Sequence, residues 1–211
     1  MESNKYLEDI IEIKNIMNRS SRFISLSGLS GVLAGIYALI GAFFAHVRLE
    51  QSNISRVEGY SERDVFLSNN ELVRDLLLIA IAVIVLASFT GFLLTLKKSK
   101  KRGEKIWDAT SKRLVINFLI PLLVGGFFCL VLIQQNSAFL VAPATLIFYG
   151  LACVNAGKYT MGDVGYMGMA FIILGLISTQ FIGYGLYFWA LGFGVCHIIY
   201  GSLMYFKYDQ K

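Results

Sequence analysis

The sequence predicts an all-α polytopic membrane helix bundle of about six transmembrane helices, preceded by a cytoplasmic amphipathic helix. Three observations carry this expectation. The 211 residues are 56% hydrophobic and only 16% charged, whereas a soluble domain carries roughly 25% charged side chains. Charge-poor stretches recur at about 20 residues, the length needed to cross a hydrocarbon core roughly 30 Å thick. The basic residues also fall unevenly between the segments joining those stretches. With 16 Phe and a mean hydropathy of +0.62, the chain is not disordered, since disorder goes with few aromatics and much charge. Three cysteines are too few, and odd in number, for a secreted disulfide scaffold.

Residues 1–22 form the first piece. Tyr6, Ile10, Ile13 and Met17 recur at i, i+4, i+7 and i+11 with Leu7 beside them, while Asp9, Glu12 and Asn15 take other angles. This spacing predicts an amphipathic helix over 3–18, either lying in the interface or docking on a cytoplasmic partner. Its acidic residues weaken any case for anionic lipid. Glu2, Glu8, Asp9 and Glu12 also take the place of the basic start that a signal peptide needs, so the first span reads as an uncleaved anchor.

The membrane bundle is expected over 23–206, with spans at about 23–47, 76–96, 114–133, 138–156, 164–182 and 184–206, and a cytoplasmic tail at 207–211. The third span closes on the polar turn Gln134-Gln135-Asn136-Ser137. The stretch from Val164 to Phe206 is uncharged and too long for one crossing, so it divides at Gln180–Gly185, where Gly183 and Gly185 flank Tyr184. Six spans place the N-terminus, the 97–113 loop, the 157–163 loop and the C-terminus on one side, with 15 of the 19 Lys and Arg. The positive-inside rule then puts both termini in the cytoplasm. The net charge of +5 needs no nucleic acid to explain it. The run from Lys97 to Arg102 reads as a topology anchor or as a docking site for a specific lipid or acidic partner.

Lipid tails are as apolar as Leu, so the helices are expected to associate where small residues let backbones approach. Ser27, Gly31, Ala34, Gly35, Ala38, Ala42 and Ala45 mark one stripe along the first span. Gly194 and Gly201 continue the theme in the sixth, with His197 placed in the same row, and Gly165, Gly168 and Gly175 in the fifth. Gly91, Gly150 and Gly201 end the second, fourth and sixth spans alike, which suggests three helical hairpins in one orientation.

His197 is the one ionisable residue well inside a span, and such residues are functional candidates by default. Tyr37, Ser88, Thr145 and Tyr149 are the other polar contacts of the middle layer. His46 lies about 18 Å from the depth of His197, at 1.5 Å per residue, so the two cannot clamp one haem. No His, Asp and Glu cluster suggests a metal, and no cofactor is expected. Cys129, Cys153 and Cys196 are far apart in apolar segments and read as small hydrophobes. No nucleophile elbow, Walker loop or paired intramembrane carboxylates supports an enzyme.

Arg19-Ser20-Ser21-Arg22-Phe23-Ile24-Ser25-Leu26-Ser27-Gly28-Leu29-Ser30-Gly31, leading to Gly35-Ile36-Tyr37-Ala38-Leu39-Ile40-Gly41, resembles the start of a group of small bacterial six-helix integral membrane proteins. The closing Phe188-Trp189-Ala190-Leu191-Gly192-Phe193-Gly194-Val195 with His197-Ile198-Ile199-Tyr200-Gly201 resembles their end. The resemblance implies a bacterial inner membrane and assigns no catalytic or binding residue.

The expected function is that of a non-enzymatic membrane protein, a sensory or accessory subunit acting through helix packing. The alternative is a small transporter or channel for a neutral or weakly polar solute, with His197 in its path. The expected partners are the lipid bilayer, a protein at the cytoplasmic face and further copies of the chain.

Overall fold

A computed structural model of the protein describes residues 27–51, 70–103 and 107–209. The amphipathic helix expected before Phe23 and the external loop expected between the first two spans lie outside the described residues. Six helices account for nearly all that is described, with no strand among the described residues. They are α1 (Gly28–Gln51), α2 (Asn70–Arg102), α3 (Ala109–Gln134), α4 (Val141–Ala156, entered through a 3-10 turn at Ala138–Leu140), α5 (Gly162–Ser178) and α6 (Gly185–Tyr208). Five are long and apolar enough to cross a membrane, α4 together with its 3-10 entry as the 19 residues Ala138–Ala156; the sixth, α5, has 17 residues.

Their ends follow from local chemistry. Asp108 caps α3 by accepting from the Ser111 amide at 2.6 Å and the Ser111 hydroxyl at 2.6 Å. These two donors hold its carboxyl below the usual carboxylate range. Pro143 sits in the first turn of α4, where its missing amide costs no intrahelical bond. Gly183 takes a φ of 92° in the turn between α5 and α6, a left-handed conformation that a side chain would strain.

The helices alternate in direction. Arg48, near the end of α1, pairs with Asp75 near the start of α2, while Gly91 of α2 faces Ser30 of α1. The short turn from Gln134 to Ala138 folds α3 back antiparallel onto α4, where Phe118 meets Tyr149 and Phe128 meets Phe148. Gly150 and Gly168 touch, as do Gly157 and Gly165, which sets α4 antiparallel to α5. At one end of the molecule Asp163 of α5 accepts from Lys207 of α6 at 2.9 Å and from the Tyr208 hydroxyl at 2.9 Å. We call this the Lys207 end and the opposite one the Arg48 end.

Small residues set the two tightest seams. A Cβ on Gly201 would lie 2.5 Å from the Val32 amide nitrogen and 2.8 Å from the Gly28 carbonyl, and one on Gly35 would lie 2.6 Å from the Gly194 carbonyl. Backbone meets backbone between α1 and α6 from Gly28 to Gly35, with Gly35, Ala38 and Ala42 buried and Ser27 and Gly31 half-buried in the same stripe. Between α4 and α5, Gly150 and Gly168 each approach the other's carbonyl, and Gly175 meets Ile147 and Pro143. Gly165 departs from the expected seam in one respect, since a side chain there would meet open space.

The three-hairpin arrangement does not extend to the third pair. α1 packs on α2 and α3 on α4, but α6 lies mainly against α1 and α5 mainly against α4. The reason is the match of small-residue surfaces: the glycines of α6 meet those of α1, and the glycines of α5 meet those of α4. α2 and α3, whose central stretches are strongly apolar, turn side chains such as Leu78, Ile84, Leu123 and Phe127 outward.

Candidate functional site

The interior polar site lies where α6 crosses α4 and α5. Its shape begins with a π-helical stretch, Ala190–Cys196, inside α6. Such wide turns occur mostly within α-helices and often at functional sites. In an uninterrupted α-helix Gly194, His197 and Gly201 would share a face. Here they do not. Gly194 faces Leu39 and Gly201 faces Val32, both of α1, while Gly192 faces Leu146 of α4 and Phe171 of α5. His197, expected in the glycine row, instead turns its ring to Tyr149 and Phe171, because the wide turn changes the register just before it.

His197 is only 7% exposed. Its Nε2 lies 2.7 Å from the Tyr149 hydroxyl, a bond that joins α4 to α6 across 48 residues of sequence. Its Nδ1 is buried without a hydrogen-bond partner among the described residues.

Aromatic rings surround the pair. Phe193 stacks on His197 at an interplanar angle of 13°. Phe171, fully buried, meets His197 edge-on at 5.2 Å and Tyr149 at 5.0 Å. Phe118 of α3 closes on Tyr149 from the other side at 6.0 Å. The cluster thus ties α3, α4, α5 and α6 together at one level. Cys153, one turn beyond Tyr149, is buried beneath it and interacts with its hydroxyl.

The remaining polar candidates stand apart from this pair. Thr145 donates to the Ala142 carbonyl of its own helix at 2.7 Å, a common way for a hydroxyl to be satisfied inside a helix. Tyr37 is half-buried on α1, and Ser88 is exposed on α2. His46 pairs with Glu50 at 3.3 Å and lies 6.1 Å from the ring of Tyr187, ten residues before His197 on α6. Among the described residues, no three His, Cys, Asp or Glu side chains gather where a metal ion would be held. Cys129, Cys153 and Cys196 are free thiols.

The sequence singled out both Tyr149 and His197 but gave no sign that they bond, and it missed Phe171 and Phe193 altogether. One signal was available: Gly192 and Gly194 at a spacing of two, bracketing Phe193, cannot both face one neighbour in a regular α-helix. No family model, curated protein or solved structure matches the chain.

Proposed function

We propose that this is a six-span integral protein of the bacterial inner membrane, with both termini cytoplasmic, acting as a non-enzymatic accessory subunit through helix packing. The observation that carries this reading is the closure of His197 on Tyr149. The one ionisable group deep in the bundle is 7% exposed, bonded to a neighbouring helix and covered by Phe171 and Phe193. A solute path through the bundle would put that group against water, and polar linings are what channels and transporters use. The seams of α1 with α6 and of α4 with α5 supply the rigid scaffold. The outward faces of α2 and α3 meet lipid or another membrane protein.

Orientation rests on the basic residues gathered at the Lys207 end. Sidedness and burial are tested together. In a protein stripped of Cys129, Cys153 and Cys196, His197→Cys is exposed to a small membrane-impermeant thiol reagent from each side in turn. No labelling is expected in a variant that keeps its size-exclusion profile. Labelling from either side would replace this reading with transport. Lys158→Cys serves as the positive control and should label only from the cytoplasmic side.

A further inference from the structure

Charge is paired at one end of the bundle and left unpaired at the other. At the Arg48 end, Arg48 and Arg74 both pair with Asp75, and His46 pairs with Glu50. At the Lys207 end, Lys97, Lys100 and Lys101 of α2 and Lys112 and Arg113 of α3 are exposed. The side chains of these five have no ion pair or hydrogen bond among the described residues. Two carboxylates with described side chains stand at that end, and both are engaged elsewhere: Asp108 with Ser111, and Asp163 with Lys207 and Tyr208.

The helix contacts fix the depth of these cations. Gly91 lies against Ser30, and Gly31 against Gly201. Lys97 comes six residues after Gly91 and Lys207 six after Gly201, so each stands about 9 Å beyond that contact at 1.5 Å per residue. On the other side Phe118 meets Tyr149. Lys112 and Arg113 come six and five residues before Phe118, and α4 ends seven residues after Tyr149. Both groups therefore share the level of the Asp163–Lys207 pair, just beyond the apolar stretches of α2 and α3.

We infer that these five cations form a binding surface for anionic phospholipid. Their charged ends meet phosphodiester headgroups, and their stems follow the apolar helices. A cluster of about four to eight Lys and Arg beside a span concentrates acidic lipid in this way. Depth favours lipid over an acidic soluble protein. Phe92 and Leu93 lie about one turn inside Lys97, and Ile116 about one turn inside Lys112 and Arg113. A ligand at the cations therefore also meets hydrocarbon, and a phospholipid carries both chemistries in one molecule. Trp107, 65% exposed and five residues before Lys112, adds a side chain suited to headgroup level. The inference rests on the membrane-spanning part of the reading above and uses neither its sidedness nor His197.

The two tryptophans of the chain provide the test and its control. Trp107 stands beside the cations, and Trp189 lies near the start of α6 at the Arg48 end. Trp189→Phe and Trp107→Phe leave one reporter each, in phosphatidylcholine vesicles containing a brominated phospholipid that quenches fluorescence. Brominated phosphatidylglycerol should associate at Trp107 about fivefold or more strongly than brominated phosphatidylcholine, the effect of a single engaged cation. At Trp189 the ratio should be near one. Lys100→Gln with Lys101→Gln, and separately Lys112→Gln with Arg113→Gln, should bring the Trp107 ratio toward one, whereas Lys100→Arg with Lys101→Arg should keep it. A ratio unchanged in both glutamine pairs would overturn the inference. Equal quenching of Trp107 by the two lipids, with Trp189 quenched, would overturn it and leave the membrane reading standing; no quenching of either tryptophan would overturn both. Displacement by soluble phosphate at constant ionic strength would assign the cations to a free anion. A Trp107 response to polyglutamate without preference for phosphatidylglycerol would assign them to an acidic protein, and either result sinks the lipid assignment.

Discussion

The Tyr149 hydroxyl and Nε2 of His197 meet at 2.7 Å between α4 and α6, inside a cluster of aromatic rings. The bond links two helices that the chain separates by all of α5, so it reports on assembly of the bundle rather than on any one hairpin. Tyr149→Phe removes the hydroxyl and leaves Nε2 of the buried imidazole without its partner. The expected loss is about 1 kcal/mol, the scale of a hydrogen bond between membrane helices. His197→Phe should cost more by itself, because it also changes the packing against Phe171 and Phe193. A double-mutant cycle on reversible unfolding in mixed micelles measures the coupling. Additivity of the two single changes within about 0.3 kcal/mol would dissolve the link.

Glycine tolerance should follow the seams closely. Gly201→Leu forces a side chain against the Val32 amide and the Gly28 carbonyl, backbone atoms that cannot swing aside. Overpacking of this kind costs about 1–3 kcal/mol where flexible side chains yield, and more where backbone must move. Gly126→Leu on α3 meets nothing within 4 Å and should be near neutral. Thermal aggregation followed by size exclusion would distinguish them; equal midpoints would mean that α1 and α6 do not approach as closely as described.

Stability at the Lys207 end should depend on acid. Lys207 and then Tyr208 bond the Asp163 carboxylate and hold its pKa below the usual 3.8. A depressed carboxyl contributes stability that is complete above the unfolded value and lost as the pH falls through the folded one. Asp163→Asn should therefore lower the melting temperature near pH 6, and the difference from the parent should shrink and then vanish as the pH falls through and below the usual carboxylate range. The gap is expected to be small, since Lys207 is 58% exposed and water screens the pair. A constant offset across that range would place the contribution of Asp163 elsewhere than in its charge.

The sequence by itself determined the helical class; of the six spans it suggested, five of the described helices are long and apolar enough to cross a membrane. Spacing between charges is a local property, and an apolar stretch of about 20 residues satisfies its own backbone only by becoming helical in lipid. It also marked the stripe from Ser27 to Ala42 and the glycines of α6, because small side chains at steps of three and four need no partner to be recognised. Only the tertiary structure decided which stripe meets which. It set α6 on α1 instead of on its neighbour α5, and it turned His197 away from the glycine row toward Tyr149 through the π-helical stretch Ala190–Cys196. Partner choice among apolar helices depends on how closely two surfaces distant in sequence can approach, and one-dimensional periodicity holds no record of that distance.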